Sequence, residues 1–219
     1  MRKRIVCIAT ICVILACMVL GIVKRGSYTN ITAEENYMNK LQVALLPEQI
    51  AITACEELQE ILPSAPIVMQ VETVGELENV FYTSRQRVKI EKIYSGKNIK
   101  EEEIYVYSDH WKISLSAEPK SMERGFVNVM EVGKKYLIFL SGETENLYGG
   151  IPVYQLYDDA MIAPVFCCEK TENQVVQTNG EHTYVPYSKV RGNEFFGESE
   201  NAIRAWEKLK ENILKYIEK

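Results

Sequence analysis

An uninterrupted apolar run dominates the hydrophobic pattern near the start of the chain. The residues from Ile5 to Val23 include no charge, while Arg2-Lys3-Arg4 precede them and Lys24-Arg25 follow them. At about 1.5 Å of rise per residue, a helix over this run nearly crosses a hydrocarbon core of about 30 Å. The pattern predicts a transmembrane anchor or uncleaved signal at 5–23, with a basic tail at 1–4 and a linker at 24–31.

The basic residues that flank the run predict its orientation. More of them precede it than follow it, and positively charged segments are retained on the cytoplasmic side. We therefore expect a single-pass protein of the cell membrane, with a cytoplasmic N-terminus and an extracellular domain at 32–219. A lipoprotein is the alternative, because Ile14-Leu15-Ala16-Cys17 resembles the end of a lipobox and would place the lipid on Cys17.

After the linker, the pattern predicts two short helices and then strands. A capping box is a Ser or Thr followed three residues later by Glu, and Thr32 and Thr53 each begin one. The first predicts a helix at 33–44, and the second predicts a helix that ends at Leu62. From Ile67 onward, β-branched residues and two-residue alternation indicate strands instead. The predicted strands are 67–74, 81–94, 104–107, 136–140, 153–157 and 161–168.

Three features refine this series of strands. The alternation changes phase near Glu91-Lys92, which predicts a β-bulge there. The residues from Tyr136 to Leu140 form a continuous apolar run, which predicts a central strand covered on both faces. Asn179-Gly180 predicts a type I′ hairpin between 175–176 and 183–185.

The last segment predicts an amphipathic helix at 199–218, with Ser199 at its N-cap. Apolar residues recur at helical spacing along it, at Ile203, Trp206, Leu209, Ile213 and Ile217. Asn193-Glu194-Phe195-Phe196 precedes this helix and lies between two glycines. We expect this segment to dock the helix against the domain, and a partner-binding projection is the alternative.

The order of these segments resembles the tissue-inhibitor-of-metalloproteinase and netrin-like (TIMP/netrin-like) OB barrels of bacterial envelope proteins. The residues that carry the resemblance are ITACEELQEILPSAPIVMQVETV, RQRVKIEKIYSGKNIKEEEIYVYS and VMEVGKKYLIFLSG, spanning roughly Thr53 to Gly142. They mark a short helix, strands and turns, including a G-x-x-Y-L-x-F-L strand. The resemblance implies a mainly β (α+β) fold, an OB-like partly open β-barrel with short N-terminal helices and a C-terminal amphipathic helix.

The resemblance implies a binding or accessory module rather than a protease inhibitor. The eukaryotic inhibitors place an exposed N-terminal cysteine on the protease zinc and carry several disulfides. This chain has an apolar run at its N-terminus, and only Cys55, Cys167 and Cys168 lie beyond that run. Protease inhibition is therefore not expected.

The charge balance and the motifs exclude some classes of partner. Beyond Arg25 the chain has 20 basic and 30 acidic residues, a net charge of −10, which disfavours nucleic acid. Asp158-Asp159, Glu169 and His182 are metal-ligand types, but adjacent aspartates are more typical of a solvated turn. We expect no cofactor, no metal and no nucleic-acid partner.

Aromatic residues give the clearest indication of a binding surface. Tyr105 and Tyr107 alternate with the apolar residues of the strand 104–107, so they face outward if those residues face the core. Trp111 follows at the strand end, and Tyr94 lies on the preceding strand. Rigid amphipathic rings on one barrel face suit a protein or cell-wall glycan partner. The alternative is a face that the terminal helices cover.

The sequence leaves open a disulfide between Cys55 and either Cys167 or Cys168, and as free thiols these cysteines allow two interpretations. Cys55, Cys167 and Cys168 are free buried thiols in the first. In the second, His110 or His182 activates Cys167 or Cys168 in a thiol enzyme. Because no catalytic signature surrounds them, we favour a membrane-anchored extracytoplasmic binding module with no catalysis of its own. The alternatives are an envelope hydrolase or thiol enzyme, and a structural subunit of a membrane complex.

Overall fold

The computed structural model describes residues 2–26, 31–80, 83–114, 119–145, 150–157, 159–178 and 184–217. Its helices are α1 (Arg2–Gly26), α2 (Glu48–Ile61) and α3 (Glu200–Ile217). Its strands are β1 (Gln42–Ala44), β2 (Ile67–Thr73), β3 (Glu78–Val80), β4 (Thr83–Ser95), β5 (Glu103–Tyr107), β6 (Ile113–Ser114), β7 (Ser121–Met122), β8 (Lys135–Thr144), β9 (Val153–Leu156), β10 (Val165–Cys167) and β11 (Tyr184–Pro186). The described part of the domain is mainly β, as the sequence pattern predicts.

Five strands close into a barrel in the order β2-β4-β5-β9-β8 and back to β2. Neighbouring strands run antiparallel except β5 and β9, which run parallel. β3 extends the sheet beside β4, and β10 extends it beside β8. A five-stranded barrel is consistent with an OB-like fold. The barrel is closed rather than partly open, because β8 pairs with both β2 and β9.

The long strand β4 carries two β-bulges where it pairs with β2. The register between the two strands skips Glu91 and then Tyr94. The first bulge confirms the one that the phase change near Glu91-Lys92 predicts. A bulge bends its strand and increases the local twist, so these two residues help one strand to curl around the closed barrel.

Strand β8 lies at the centre of the molecule. Its residues from Tyr136 to Leu140 are all buried, with no residue more than 5% exposed, which confirms the prediction of a strand covered on both faces. One face of β8 meets the barrel interior, where Met69 and Val71 of β2 are fully buried. On the other face, the Phe139 ring meets the Phe166 ring edge-on, with ring centroids 6.0 Å apart.

The prediction of a helix at 33–44 is wrong. The structure has two 3-10 turns, Ile31–Ala33 and Tyr37–Lys40, followed by β1. Between the turns, Asn36 has a left-handed backbone conformation with φ of 58°, which interrupts a right-handed helix. β1 then pairs with β7 and β11, so long-range strand pairing replaces the predicted helical turns. The Asn179-Gly180 hairpin predicted before β11 lies outside the described residues.

Prolines set two element boundaries differently from the prediction. α2 begins directly after Pro47, so Thr53 lies inside the helix rather than at its N-cap. The fixed φ of proline suits the start of a helix. The strand predicted at 161–168 is shortened to β10, because Pro164 lacks the N–H that a strand ladder needs.

The C-terminal helix packs its aromatic residue between two phenylalanines. Ser199 caps α3 as predicted, since its Oγ accepts a hydrogen bond from the Ala202 N–H at 3.2 Å. Trp206 stacks on Phe166 and on Phe195, with ring centroids 5.1 Å apart in each pair. The apolar face of α3 is buried at Ile203, Trp206, Leu209 and Ile213.

The first helix extends beyond the apolar run. α1 continues through Lys24, Arg25 and Gly26, where the sequence pattern predicts the start of a linker. Across the parts of the chain that the structure describes, no helix has both the length and the apolar character that crossing a membrane requires. The transmembrane helix predicted at 5–23 is therefore unsupported by the structure.

Candidate functional site

Two neighbouring barrel strands present tyrosine and arginine side chains on their outer surface. The apolar residues of β5 are fully buried, so Tyr105 and Tyr107 lie on the outer face, where they are partly exposed. On β4, Arg87 lies opposite Tyr105 and Arg85 lies opposite Tyr107. We call these four residues the tyrosine face.

Glu78 of β3 fixes the centre of the tyrosine face. Its carboxylate accepts hydrogen bonds from Arg85 Nε at 2.9 Å and from the Tyr105 hydroxyl at 3.1 Å. The Arg85 guanidinium carbon lies 4.0 Å from the Tyr105 ring centroid, which is a cation–π contact. Burial raises the pKa of Tyr105, and the nearby Glu78 carboxylate raises it further. The hydrogen bond to Glu78 and the contact with Arg85 hold the neutral Tyr105 ring in one orientation.

The edges of the tyrosine face are held less tightly than its centre. The Tyr107 hydroxyl donates a hydrogen bond to Asp109 Oδ1 at 2.7 Å. Arg87 Nε lies 3.9 Å from Glu103 Oε2, and both side chains are about two-fifths exposed. An exposed ion pair of this kind contributes little free energy, so Arg87 can exchange it for a contact with a partner.

The structure separates the four aromatic residues that the sequence groups into one binding surface. Trp111 is fully buried, and its indole N–H donates to the Val127 carbonyl at 3.1 Å. A 3-10 turn at Asp109–Trp111, capped by the Ser108 hydroxyl, carries this residue away from the strand. Tyr94 lines a different pocket, beside α2 and α3. Of the four, Tyr105 and Tyr107 share a face, and Trp111 is enclosed in the core.

The thiols lie in surroundings that keep them protonated. Cys55 and Cys167 are buried, Cys168 is exposed, and all three are free. Burial raises the pKa of the Cys167 thiol and raises that of Cys55 to about 12. Although the Cys168 residue is exposed, neighbouring atoms cover part of its thiol and raise the thiol pKa to about 11. A raised pKa weakens a thiol nucleophile at neutral pH. His110 is buried, and His182 lies outside the described residues, so the thiol-enzyme alternative remains an untested prediction.

A buried ionic cluster joins α3 to the loop after β10. Lys210 Nζ lies 2.6 Å from Glu194 Oε2 and donates to Thr171 Oγ1 at 3.1 Å. Thr171 Oγ1 donates to the same carboxylate oxygen at 2.5 Å, and the Cys167 N–H donates to the other oxygen at 2.7 Å. We call Glu194, Lys210 and Thr171 the ionic latch. Its members are distant in sequence, so the residue pattern alone did not reveal it.

The ionic latch has no room for a substrate. A hydroxyl beside a lysine occurs in some hydrolases as a nucleophile and its base. The cavity that adjoins Thr171 and Glu194 here has a volume of only about 20 Å³, far below the roughly 300–1,000 Å³ of small-molecule sites. The arrangement therefore holds two parts of the fold together.

The residues around Glu194 dock α3, as the sequence pattern predicts. The Asn193 side chain forms two hydrogen bonds with the Gln174 backbone, at 3.1 and 2.6 Å. Phe195 stacks on Trp206, and Phe196 is fully buried. This segment is enclosed in the domain and does not project from it.

The described residues offer no metal centre. Within them, no group of three or more His, Cys, Asp and Glu side chains is arranged to hold a metal ion. Asp158 and His182, which belong to the ligand group considered from the sequence, lie outside the described residues.

Neither a protein-family model nor a curated protein sequence matches the chain. The closed barrel is consistent with the OB-like fold class. The TIMP/netrin-like family itself remains a prediction that rests on the order of segments and on the residues quoted for it.

Proposed function

We propose that this chain is a binding module, attached to a membrane, whose tyrosine face recognises a partner protein. The observation that carries the proposal is the arrangement of Glu78, Arg85 and Tyr105, which are already hydrogen-bonded on a partly exposed surface. Tyrosine and arginine are enriched at protein interfaces. Because these side chains are ordered in advance, little conformational entropy is lost when a partner binds.

The position of the tyrosine face supports the same proposal. β4 and β5 are the second and third barrel strands in chain order, and this face binds ligands in many OB-folds. The acidic balance of the domain, with Glu78, Glu103 and Asp109 around the face, disfavours nucleic acid. A cell-wall glycan is the competing partner, since tyrosine rings also stack on sugars.

Membrane attachment is the second part of the proposal. α1 exposes large apolar side chains between Ile11 and Ile22, and cations flank the apolar run. We propose that this helix holds the module at the extracellular side of a bacterial cell membrane. We expect the full-length protein to stay in the membrane fraction after an alkaline wash and the Leu15→Lys/Val19→Lys variant to be released. Release of Cys17→Ala alone would favour the lipoprotein alternative.

A pull-down of the tagged full-length protein from its native membrane tests the tyrosine face. We expect Tyr105→Ser/Tyr107→Ser to reduce recovery of the partner by about tenfold or more, the range of interface hot spots. Tyr184→Ser is the matched control, because Tyr184 is 53% exposed and lies on β11. Equal recovery by the double variant would contradict the proposal, and recovery of glycan alone would contradict the partner class.

A further inference from the structure

A pocket lies between the barrel wall and the two helices α2 and α3. Its volume is about 540 Å³, within the roughly 300–1,000 Å³ typical of small-molecule sites. Val68 of β2 and Phe139 of β8 lie opposite each other in the strand register and form its floor. Leu62 and Ile213 contribute apolar walls. No residue of the tyrosine face lines this pocket.

A β-bulge places Tyr94 at this pocket. The register between β2 and β4 skips Tyr94, and a bulge re-aims the side chain of the residue that it leaves unpaired. The Tyr94 ring is partly exposed, and Lys92 Nζ lies 4.3 Å from its centroid. The Tyr94 hydroxyl donates to Gln70 Oε1 at 3.4 Å, a long hydrogen bond that a ligand can replace.

The polar residues of the pocket lining are uncharged. Gln59 of α2 and Asn212 of α3 are joined by a hydrogen bond of 3.0 Å, and Ser95 adds a hydroxyl. Among the described residues, no charged side chain lines the pocket, although a quarter of the whole chain is charged. Removing an ion from water without an opposite charge is costly. The Lys92 ammonium lies over the Tyr94 ring and does not line the pocket, so this lining selects against charged ligands.

We infer that this pocket binds a small uncharged molecule with an aromatic or aliphatic body and one hydrogen-bonding end. The body packs on Val68 and Phe139 beside the Tyr94 ring. The polar end exchanges hydrogen bonds with the amides of Gln59 and Asn212. This site is separate from the tyrosine face, so it does not depend on the proposed function.

Photolabelling of the full-length protein with benzophenone, an uncharged diaryl ketone, tests the inference. Mass spectrometry of the digested protein distinguishes labelling of the pocket from labelling of α1, which also exposes apolar side chains. We expect saturable labelling of peptides that contain residues 59–68, 94–95 or 212–213. 4-Benzoylbenzoate has the same rings and a carboxylate, and we expect it to label these peptides about tenfold less.

Three variants complete the test, two at neighbouring positions of α2 and one on β2. Gln59→Trp obstructs the pocket from an exposed position, and we expect it to lower labelling of the pocket by about tenfold. Val68→Trp fills the floor of the pocket, and we expect a similar loss of labelling. Glu60→Trp is the matched control, since Glu60 is exposed and does not line the pocket. Labelling that does not saturate, that is equal for the carboxylate, or that persists in both Gln59→Trp and Val68→Trp would overturn the inference.

Discussion

The tyrosine face and the helix-covered side of the barrel both place aromatic rings beside charged residues, but they differ in exposure to water. On the covered side, Trp206 is fully buried, and the two charged residues of the ionic latch, Glu194 and Lys210, are buried as well. On the tyrosine face, Tyr105 and Tyr107 remain partly exposed. Aromatic and charged side chains thus stabilise the fold where water is excluded and remain available for binding where it is not.

This difference in solvation predicts different consequences of mutation. A buried charge that loses its partner cannot be compensated by water, whereas an exposed one can. We therefore expect substitutions on the covered side to change the free energy of unfolding, and substitutions on the tyrosine face to change binding.

The largest loss is expected for Trp206→Ala. This change removes the ring stacked between Phe166 and Phe195, and we expect it to lower the free energy of unfolding by about 4 kcal/mol, as for other buried aromatic residues. Urea unfolding of the full-length protein measures this loss of free energy. Tyr107→Ala is the comparison on the tyrosine face, and a similar loss there would contradict the distinction between the two sides.

The ionic latch gives the next largest effect. Lys210→Met leaves Glu194 buried without its cation, and we expect this to cost about 3 kcal/mol in urea unfolding. The double variant Glu194→Leu/Lys210→Met removes both charges and should recover most of that loss. If Lys210→Met alone costs as little as an exposed ion pair, the latch does not stabilise the fold.

Alkaline pH tests the burial of Cys55 on α2. Because burial raises the thiol pKa to about 12 in the folded state, the unfolded chain loses its proton first as pH rises above about 9. This contribution to stability is complete below pH 9 and is lost between about pH 9 and 12, by at most about 1.4 kcal/mol per pH unit. Between pH 8 and 10.5, the free energy of unfolding measured in urea should fall less steeply with pH for Cys55→Ala than for the wild type.

A buried residue of the same helix that has no titratable group provides the control for this pH series. Leu58→Ala removes an apolar side chain of α2, so it should lower the free energy of unfolding about equally at each pH and reproduce the wild-type slope. Equal slopes for Cys55→Ala and the wild type would show that the Cys55 thiol is not protected from ionisation in the folded protein.

The smallest effect on stability is expected for Arg85→Ala. Arg85 and Glu78 keep 21% and 29% of their side chains exposed, so we expect a cost of less than about 1 kcal/mol in urea unfolding. Partner recovery should nevertheless fall by about tenfold, because the Tyr105 ring loses the cation above it. A variant that loses stability but keeps its partner would assign Arg85 to the fold instead.

The elements that the sequence predicts well are those with strong local patterns. The apolar run in β8, the phase change at Glu91 and the Ser199 cap each depend on neighbouring residues. The region around Asn36 was mispredicted because β1 pairs with β7 and β11, which are distant in the chain.

The candidate site was predicted only in part, for the same reason. Alternation placed Tyr105 and Tyr107 on the outer face of β5. No local pattern indicated that Trp111 turns into the core or that Lys210 reaches Glu194. Those contacts depend on tertiary packing, which a single sequence does not display.

The most direct test of the tyrosine face is site-specific photocrosslinking in the native membrane. A benzophenone amino acid replaces Tyr107 in the full-length protein, and the same amino acid at Tyr184 of β11 is the control. We predict a discrete crosslinked protein from position 107 that is absent from position 184 and is lost when Arg85→Ala is added. The same crosslinks from both positions, or none from position 107, would contradict the account.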